Sequence, residues 1–392
     1  NSPAPEINLV ASTDSTFATN FQEYDINNGV ATNTQSADPL TLSVNISAIA
    51  ANYTGNIYLR FHIKSGTSHY FWMIDDIAIV ESPINDMVTQ SPYYGFTPVG
   101  TFGYEYTRIP VNHIQSADFS MVVENIGSAD QTGTNLTVDI SDGTSSVFNQ
   151  STSPITLNSL VKDTLEMLGA WTPPTTVGIP YTVTLEITSD SIDETPADNV
   201  AGFPPFEVSN YIFAIDDYGP NFGNGGPQSD PNGNTEHEIG NFFEAYVDDI
   251  ATGVEFLAGT NSTLGTNVEA VLYRRSLGTY VLIGKSAIHS LSASDTLTPK
   301  TLLLTDPATN TYPLLQKDST YFVAIHSFND LFQVATSGVG PAPGTNSNIH
   351  SNVCFPNRIS PTTVYGLSRT PVVRLSLTPI PITWTNKPAN IA

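Results

Sequence analysis

The feature that most constrains this chain is the alternation of apolar and polar residues over short segments. It is clearest from Phe119 to Val123, from Leu136 to Ile140 and from Tyr181 to Ile187. Because successive side chains of a strand point to opposite faces of a sheet, this alternation predicts half-buried β-strands. Turn-forming pairs such as Asp142-Gly143 separate the strands, as in sandwiches and jelly rolls and unlike βαβ folds. We therefore expect an all-β chain of tandem antiparallel β-sandwich modules.

One segment is also compatible with a helix. Within Leu160 to Leu168, the apolar residues Val161, Leu165 and Leu168 have helical spacing, whereas Val161, Leu165 and Met167 fit alternation equally well. Two prolines, Pro173 and Pro174, follow shortly afterwards. We interpret this segment as a strand.

The length of 392 residues exceeds what one β-sandwich core holds, so several modules in series are expected. Glu81-Ser82-Pro83 follows a strongly apolar segment and marks one boundary. Val208 to Asn210 marks a second, because a loop rich in Gly, Asn and Pro comes soon after it. The predicted modules cover 1–82, 83–208 and 209–380, and 381–392 is a linker or the start of a further module.

The charge balance narrows the choice of partners. Lys and Arg total 13 against 37 Asp and Glu, which gives a formal net charge of −24. Nucleic acid and anionic membranes would repel such a chain, and no apolar run is long enough to span a bilayer. Only 13% of the residues are charged, against about 25% in an average domain, which suits an extracellular surface.

Segments of the first module resemble a known family. The segment Ile57 to Ile63, followed by Tyr70 to Ile79 with its Asp75-Asp76 pair, resembles the closing strands of MAM-like jelly-roll modules in secreted Bacteroidota proteins. The resemblance implies that the aromatic residues before Asp75 pack inside a sandwich. Family modules are usually longer than residues 1–82, which implies opening strands that lie upstream or have been lost.

The other two modules resemble domains of the same secreted proteins. Phe119 to Gly127 and Trp171 to Pro174 resemble parts of Ig-like adhesion domains, and Asp193-Glu194 to Asp198-Asn199 fits a turn of that pattern. Gly253 to Leu257 and Asp318 to Ile325 resemble another jelly-roll-like β-sandwich. Proteins of this architecture typically leave the cell by type IX secretion, so the resemblance implies an extracellular or cell-surface location.

Motifs for catalysis are absent from the sequence. It contains neither a Gly-x-Ser-x-Gly nucleophile turn nor a His-Glu-x-x-His zinc helix, and its histidines lack ligand spacing. The adjacent Asp75 and Asp76 would point to opposite faces of a strand and would not meet as a glycosidase pair. The lone Cys354 excludes an internal disulfide and is expected to be a buried thiol. We expect no enzyme activity.

The most suggestive polar stretch predicts a calcium site. Asp230, Asn232, Asn234 and Glu236 place oxygen-bearing side chains at every second position after a Gly-rich loop. Calcium prefers such hard oxygen ligands from a flexible loop, although the helices of an EF-hand are missing. A solvated acidic turn is the alternative interpretation.

Two further clusters have two interpretations each. Asp216-Asp217 and Asp248-Asp249 either join the calcium site or, as we favour, keep sheet edges charged against aggregation. The aromatic segments Tyr93 to Phe96 and Phe102 to Tyr106 either form a sugar-stacking platform or, as we favour, an aromatic strand or an interface between modules.

These observations favour a non-catalytic structural or adhesive surface protein that self-associates into an oligomer, fibre or appendage, or binds a surface glycan or protein. The alternative is a carbohydrate-binding accessory region of a larger secreted hydrolase. A calcium-dependent adhesin is a third hypothesis, resting on the acidic loop from Asp230 to Glu236.

Overall fold

A computed structural model describes residues 6–26, 42, 44–50, 53–64, 74–96, 104–216, 223–225, 236–276, 279–337, 352–356, 365–366 and 369–377. Within these residues the secondary structure is almost entirely β. Every described strand pair is antiparallel except that of β5 with β13, defined below. The prediction of an all-β, antiparallel fold is confirmed. The predicted module boundaries remain predictions, and the first, second and third modules below denote 1–82, 83–208 and 209–380.

The described part of the first module forms one small sheet. Its strands are β1 (Glu6–Ser12), β2 (Phe21–Asp25) and β3 (Tyr58–Lys64) in the order β2-β1-β3, and α1 spans Ser47–Ala50. Strand β3 covers the expected segment from Tyr58 to Ile63, and Ile57 lies just before it. Among the described residues, no helix is long and apolar enough to cross a membrane.

The expected strand up to Ile79 is wrong over residues 74–79. These residues form no strand, and Asp76 has φ 48°, a left-handed conformation that interrupts extended backbone. Ile77, Ile79 and Val80 are 60%, 74% and 80% exposed. Their apolar side chains therefore lack the facing sheet that a buried closing strand requires. Residues Tyr70 to Met73 lie outside the described residues.

The second module is a sandwich of two sheets, one ordered β10-β6-β4 and the other β5-β13-β11-β7-β8, with β12 on β11 and β9 on β7. Short 3-10 turns occupy Val111–His113 and Pro196–Asn199. Its strands are β4 (Met87–Phe96), β5 (Arg108–Pro110), β6 (Ala117–Asn125), β7 (Gln131–Ser141), β8 (Ser146–Ser151), β9 (Ile155–Leu157), β10 (Lys162–Trp171), β11 (Pro180–Thr188), β12 (Val200–Gly202) and β13 (Phe206–Ser209).

Alternation explains these strands directly. In β11, Tyr181, Val183, Leu185 and Ile187 are all buried, and the residues between them are exposed or half-buried. These four side chains face the β10-β6-β4 sheet, so the residues between them point toward solvent. The ambiguous segment forms β10 with Leu165 buried, which confirms the strand interpretation.

The third module has two large sheets and a small one. Their orders are β14-β27-β17-β21 with β22 on β17, β19-β18-β23-β16-β25-β26 with β20 on β18, and the pair β15-β24. A 3-10 turn spans Ala293–Asp295. The strands are β14 (Ile212–Phe213), β15 (Gly223–Gly225), β16 (His237–Ala245), β17 (Asp249–Phe256), β18 (Asn267–Ser276), β19 (Thr279–Lys285), β20 (His289–Ser290), β21 (Lys300–Leu303), β22 (Leu314–Leu315), β23 (Ser319–Ser327), β24 (Val334–Thr336), β25 (Asn352–Pro356), β26 (Tyr365–Gly366) and β27 (Val373–Leu377).

Candidate functional site

Aromatic side chains join the second module to the third. Phe96 and Tyr106 from the second module are buried in one hydrophobic core with Phe213, Phe243 and Tyr246 from the third. The rings of Tyr106 and Phe243 are stacked with centroids 6.2 Å apart, and Phe213 lies 5.3 Å from Tyr106. The two modules therefore share one continuous core, which we call the shared core.

Hydrogen bonds hold the polar ends of these rings. The Tyr246 hydroxyl donates to the carbonyl of Phe96 at 2.5 Å, and the Tyr106 hydroxyl accepts from the backbone N–H of Glu244 at 2.9 Å. The hydroxyl of Thr107 donates to the carbonyl of Asp216 at 2.5 Å. Because each of these bonds crosses between the modules, the shared core fixes orientation as well as contact.

A buried histidine adds to the same contact. His113 is fully buried, and its Nδ1 accepts from the backbone N–H of Tyr246 at 3.1 Å. Its Nε2 is therefore assigned the proton and donates to Asp249 at 3.1 Å. These two contacts give His113 a structural role. His113 also gives Asp249 a hydrogen-bond partner, so Asp249 is not an unpaired charge at a free sheet edge.

The aromatic segment predicted as a glycan platform or an interface lies at this contact. Tyr93, Tyr94, Phe96 and Tyr106 are all buried, so their ring faces are not open to a sugar. The interface interpretation agrees with this placement. Burial also raises the pKa of the neighbouring Glu105 carboxyl to about 7.

The favoured interpretation of Asp216 as an edge charge is wrong. Asp216 is buried and accepts two hydrogen bonds from Arg374, at 2.9 Å from Nε and 2.5 Å from Nη2. Arg374 is 2% exposed and also donates to Glu255 at 2.8 Å. The two carboxylates raise the pKa of Arg374 although burial alone would lower it. Asp216 therefore stabilises the buried positive charge of Arg374 next to the shared core.

A second polar group lies across three strands of the third module. Glu238, His326 and Glu269 are register partners on β16, β23 and β18, and all three are buried. His326 Nδ1 lies 3.1 Å from Glu269, and the Tyr273 hydroxyl donates to Glu238 at 2.7 Å. The row ties neighbouring strands together through buried polar side chains.

The predicted calcium ligands are described only in part. Asp230, Asn232 and Asn234 lie outside the described residues. Glu236 is exposed, and its carboxylate lies 3.6 Å from Nε2 of His326. The calcium site over Asp230 to Glu236 therefore stays a prediction.

Another acidic cluster, which sequence reasoning did not assemble, lies where the second module begins. Asp86, Asp193 and Asp198 each bring one carboxylate oxygen within 4.8 Å of the others. Asp86 directly precedes β4, and the other two lie in the connection between β11 and β12. The three aspartates, called the entry cluster below, can hold a metal ion.

Backbone hydrogen bonds build the surroundings of the entry cluster. Asp193 accepts from the N–H of Met87 at 2.8 Å and from that of Thr195 at 2.7 Å. Glu194 accepts from the N–H groups of Ile84 and Asn85 at 2.8 Å and 3.1 Å. The connection between β11 and β12 is thereby bound to the chain that enters β4.

The electrostatics of the entry cluster are unfavourable for the isolated carboxylates. Burial raises the pKa of Asp86 to about 6, and the charges of Asp193, Asp198 and Glu194 add to the effect. Burial also raises the pKa of Asp198. A bound cation would offset this repulsion.

Comparison with known proteins adds little. No protein-family model matches the sequence, and no curated protein matches it. Two solved structures that resemble part of the chain are an NMR structure of a CARDB domain from Pyrococcus furiosus and a crystal structure of that domain in complex with di-metal ions. They are 18% identical, cover 33% and 35% of this chain and 98% and 99% of their own, and have TM-scores of 0.23. So low a TM-score carries no argument about what this chain binds or does.

Proposed function

We propose that this chain is a non-catalytic structural or adhesive protein of the extracellular surface, in which the second and third modules act as one rigid support. The observation that carries the proposal is the shared core. Modules joined by linkers usually meet through modest, rather polar contacts and move relative to one another. A buried aromatic contact such as that of Tyr106 with Phe243 resists such motion, and a protein that spaces or presents other groups needs this stiffness.

The composition and the family resemblance support the same proposal. Only 13% of the residues are charged, and sequence segments resemble those of secreted Bacteroidota proteins. Export by type IX secretion, the MAM-like identity of the first module and self-association into a fibre or appendage are parts of this proposal. They rest on the resemblance.

Electron microscopy of the purified full chain tests the proposed role. Ordered fibres or rings are expected if the chain builds a surface structure. Dispersed monomers that bind sugars in a glycan array would favour the alternative, a carbohydrate-binding accessory region of a larger secreted hydrolase. Turnover of a glycan or peptide substrate would contradict both.

A further inference from the structure

The entry cluster concentrates negative charge without a basic partner. Within the described residues, no lysine or arginine forms a salt bridge with Asp86, Asp193, Asp198 or the adjacent Glu194. Four carboxylates thus lie near the start of β4 with no basic side chain of the described residues paired to them. Clusters of this kind also occur on ordinary acidic surfaces, so the charge alone does not define a site.

Buried oxygen atoms without donors distinguish the entry cluster from an acidic surface. Asp86 is only 6% exposed, and its Oδ1 has no hydrogen-bond partner. Oδ1 of the half-buried Asp198 and Oδ1 of the buried Asn199, the next residue in sequence, also lack a hydrogen-bond partner. A buried carboxylate oxygen without a donor is unfavourable, and such groups in proteins are usually paired or bound to a metal.

We propose that Asp86, Asp193 and Asp198 bind a calcium ion. All of the metal-ligand atoms offered here are oxygens. Zinc prefers nitrogen and sulfur ligands, so it is disfavoured at this site. The oxygens come from the start of a strand and from a connection between strands, and calcium tolerates such irregular ligand sets better than magnesium, which needs near-ideal octahedral geometry.

The position of this site defines its effect. It joins the chain entering β4 to the connection between β11 and β12, two segments far apart in sequence. Calcium would remove the repulsion among the carboxylates and tie these segments together where the first module leads into the second. The calcium site is independent of the proposed function. That proposal rests on the shared core at the opposite end of the second module, so either one can fail without the other.

Thermal unfolding of the full chain, followed by circular dichroism, tests the calcium site. Millimolar calcium is expected to raise the Tm above its value in EDTA by roughly 5–10 °C, as for a ligand near 100 times its Kd. Magnesium at the same concentration is expected to raise it much less. A Tm that calcium leaves unchanged, or that magnesium raises equally, would overturn the assignment.

Variants distinguish this site from any other calcium site in the chain. Asp86→Asn is expected to abolish the calcium shift and to raise the Tm in EDTA, because it removes a buried, repelled charge. Asp198→Asn gives a second test of the shift if Asp86→Asn does not fold. The control Glu166→Gln, an exposed carboxylate on β10, should keep the full shift, as should Asp230→Asn in the predicted acidic loop.

A calcium shift that persists in both Asp86→Asn and Asp198→Asn would overturn the proposal and place the ion elsewhere. A shift lost in Asp230→Asn and kept in Asp86→Asn would assign calcium to the acidic loop. Neither result would bear on the shared core, so the failure of this inference is distinguishable from failure of the proposed support.

Discussion

The two ends of the second module are held by different physical means. At the end that meets the third module, Tyr106 packs among rings of both modules with almost no exposed surface. At the end that follows the first module, carboxylates of Asp193 and Glu194 bind backbone N–H groups of residues 84–87, and Ile79 and Val80 nearby are exposed. One end is apolar and buried, whereas the other is polar and charged.

This difference implies different responses to the surroundings. Burial of aromatic area depends little on ions, because it arises from removing apolar surface from water. A contact made by clustered carboxylates depends on pH and on cations. A chain built in this way has one junction that cations barely affect and one whose stability cations can set.

The largest effect is expected from breaking the shared core. Tyr106→Ala removes a fully buried ring and leaves a cavity, which should lower the free energy of unfolding by about 3–5 kcal/mol. Urea unfolding of the full chain measures the loss. Tyr312→Ala is the control, because Tyr312 is 43% exposed and its truncation should stay within about 0.5 kcal/mol. Equal losses in the two variants would contradict the shared core.

The next effect comes from the buried charge beside the shared core. Asp216→Asn leaves Arg374 buried with one carboxylate fewer, which should lower the free energy of unfolding by about 3 kcal/mol. Glu124→Gln weakens a solvent-accessible ion pair, the 3.3 Å contact of the half-buried Glu124 with the exposed Lys162, and should cost less than about 1 kcal/mol. A loss for Asp216→Asn as small as that for Glu124→Gln would show that the buried pair does not stabilise the fold.

Glu105, between Tyr104 and Tyr106, should make stability depend on pH. Burial raises its pKa from 4.5 to about 7, so the folded chain keeps a proton that the unfolded chain loses between these values. The free energy of unfolding should therefore fall as pH rises from 4.5 to 7, by about 2 kcal/mol. Glu105→Gln should flatten this part of the profile, and Glu166→Gln should not. An unchanged slope in Glu105→Gln would exclude Glu105 as its source.

The smallest effect is expected at the polar end of the second module. Glu194→Gln keeps an acceptor for Ile84 and Asn85 but removes its charge, and Glu194 is exposed. The free energy of unfolding in urea should fall by less than about 1 kcal/mol. A loss as large as that of Tyr106→Ala would show that both ends are equally rigid and would remove the contrast between them.

Local patterns predicted most of the fold. Alternation identified the strands around Phe119, Leu136 and Tyr181 because a strand with one buried face must alternate. The apolar segment before Val80 was wrongly predicted as a closing strand from its pattern. Asp76 interrupts the extended backbone, and Ile77, Ile79 and Val80 are exposed rather than covered by a sheet of the described residues. Periodicity records which residues are able to form a buried face, but not whether a partner covers it.

The sites were less predictable than the strands. The density of the aromatic segment around Tyr106 was compatible with a sugar-stacking platform, an aromatic strand or an interface between modules, and only the fold places these rings at an interface. Asp86 carries no local signal, since only the fold brings it to Asp193 and Asp198, and Asp216 looked like an edge charge because its partner Arg374 is distant in sequence. Acidic residues could be counted in advance, but their pairing depends on the tertiary fold.

Native-state hydrogen exchange with Phe243→Ala tests the shared core most directly. Phe243 belongs to the third module, whereas β6 and β7 belong to the second, so coupling between them must pass through the shared core. A shared core predicts that the substitution lowers the protection of amides in β6 and β7 as well as in β16 and β23. Protection lost only in the third module, with β6 and β7 unchanged, would contradict it.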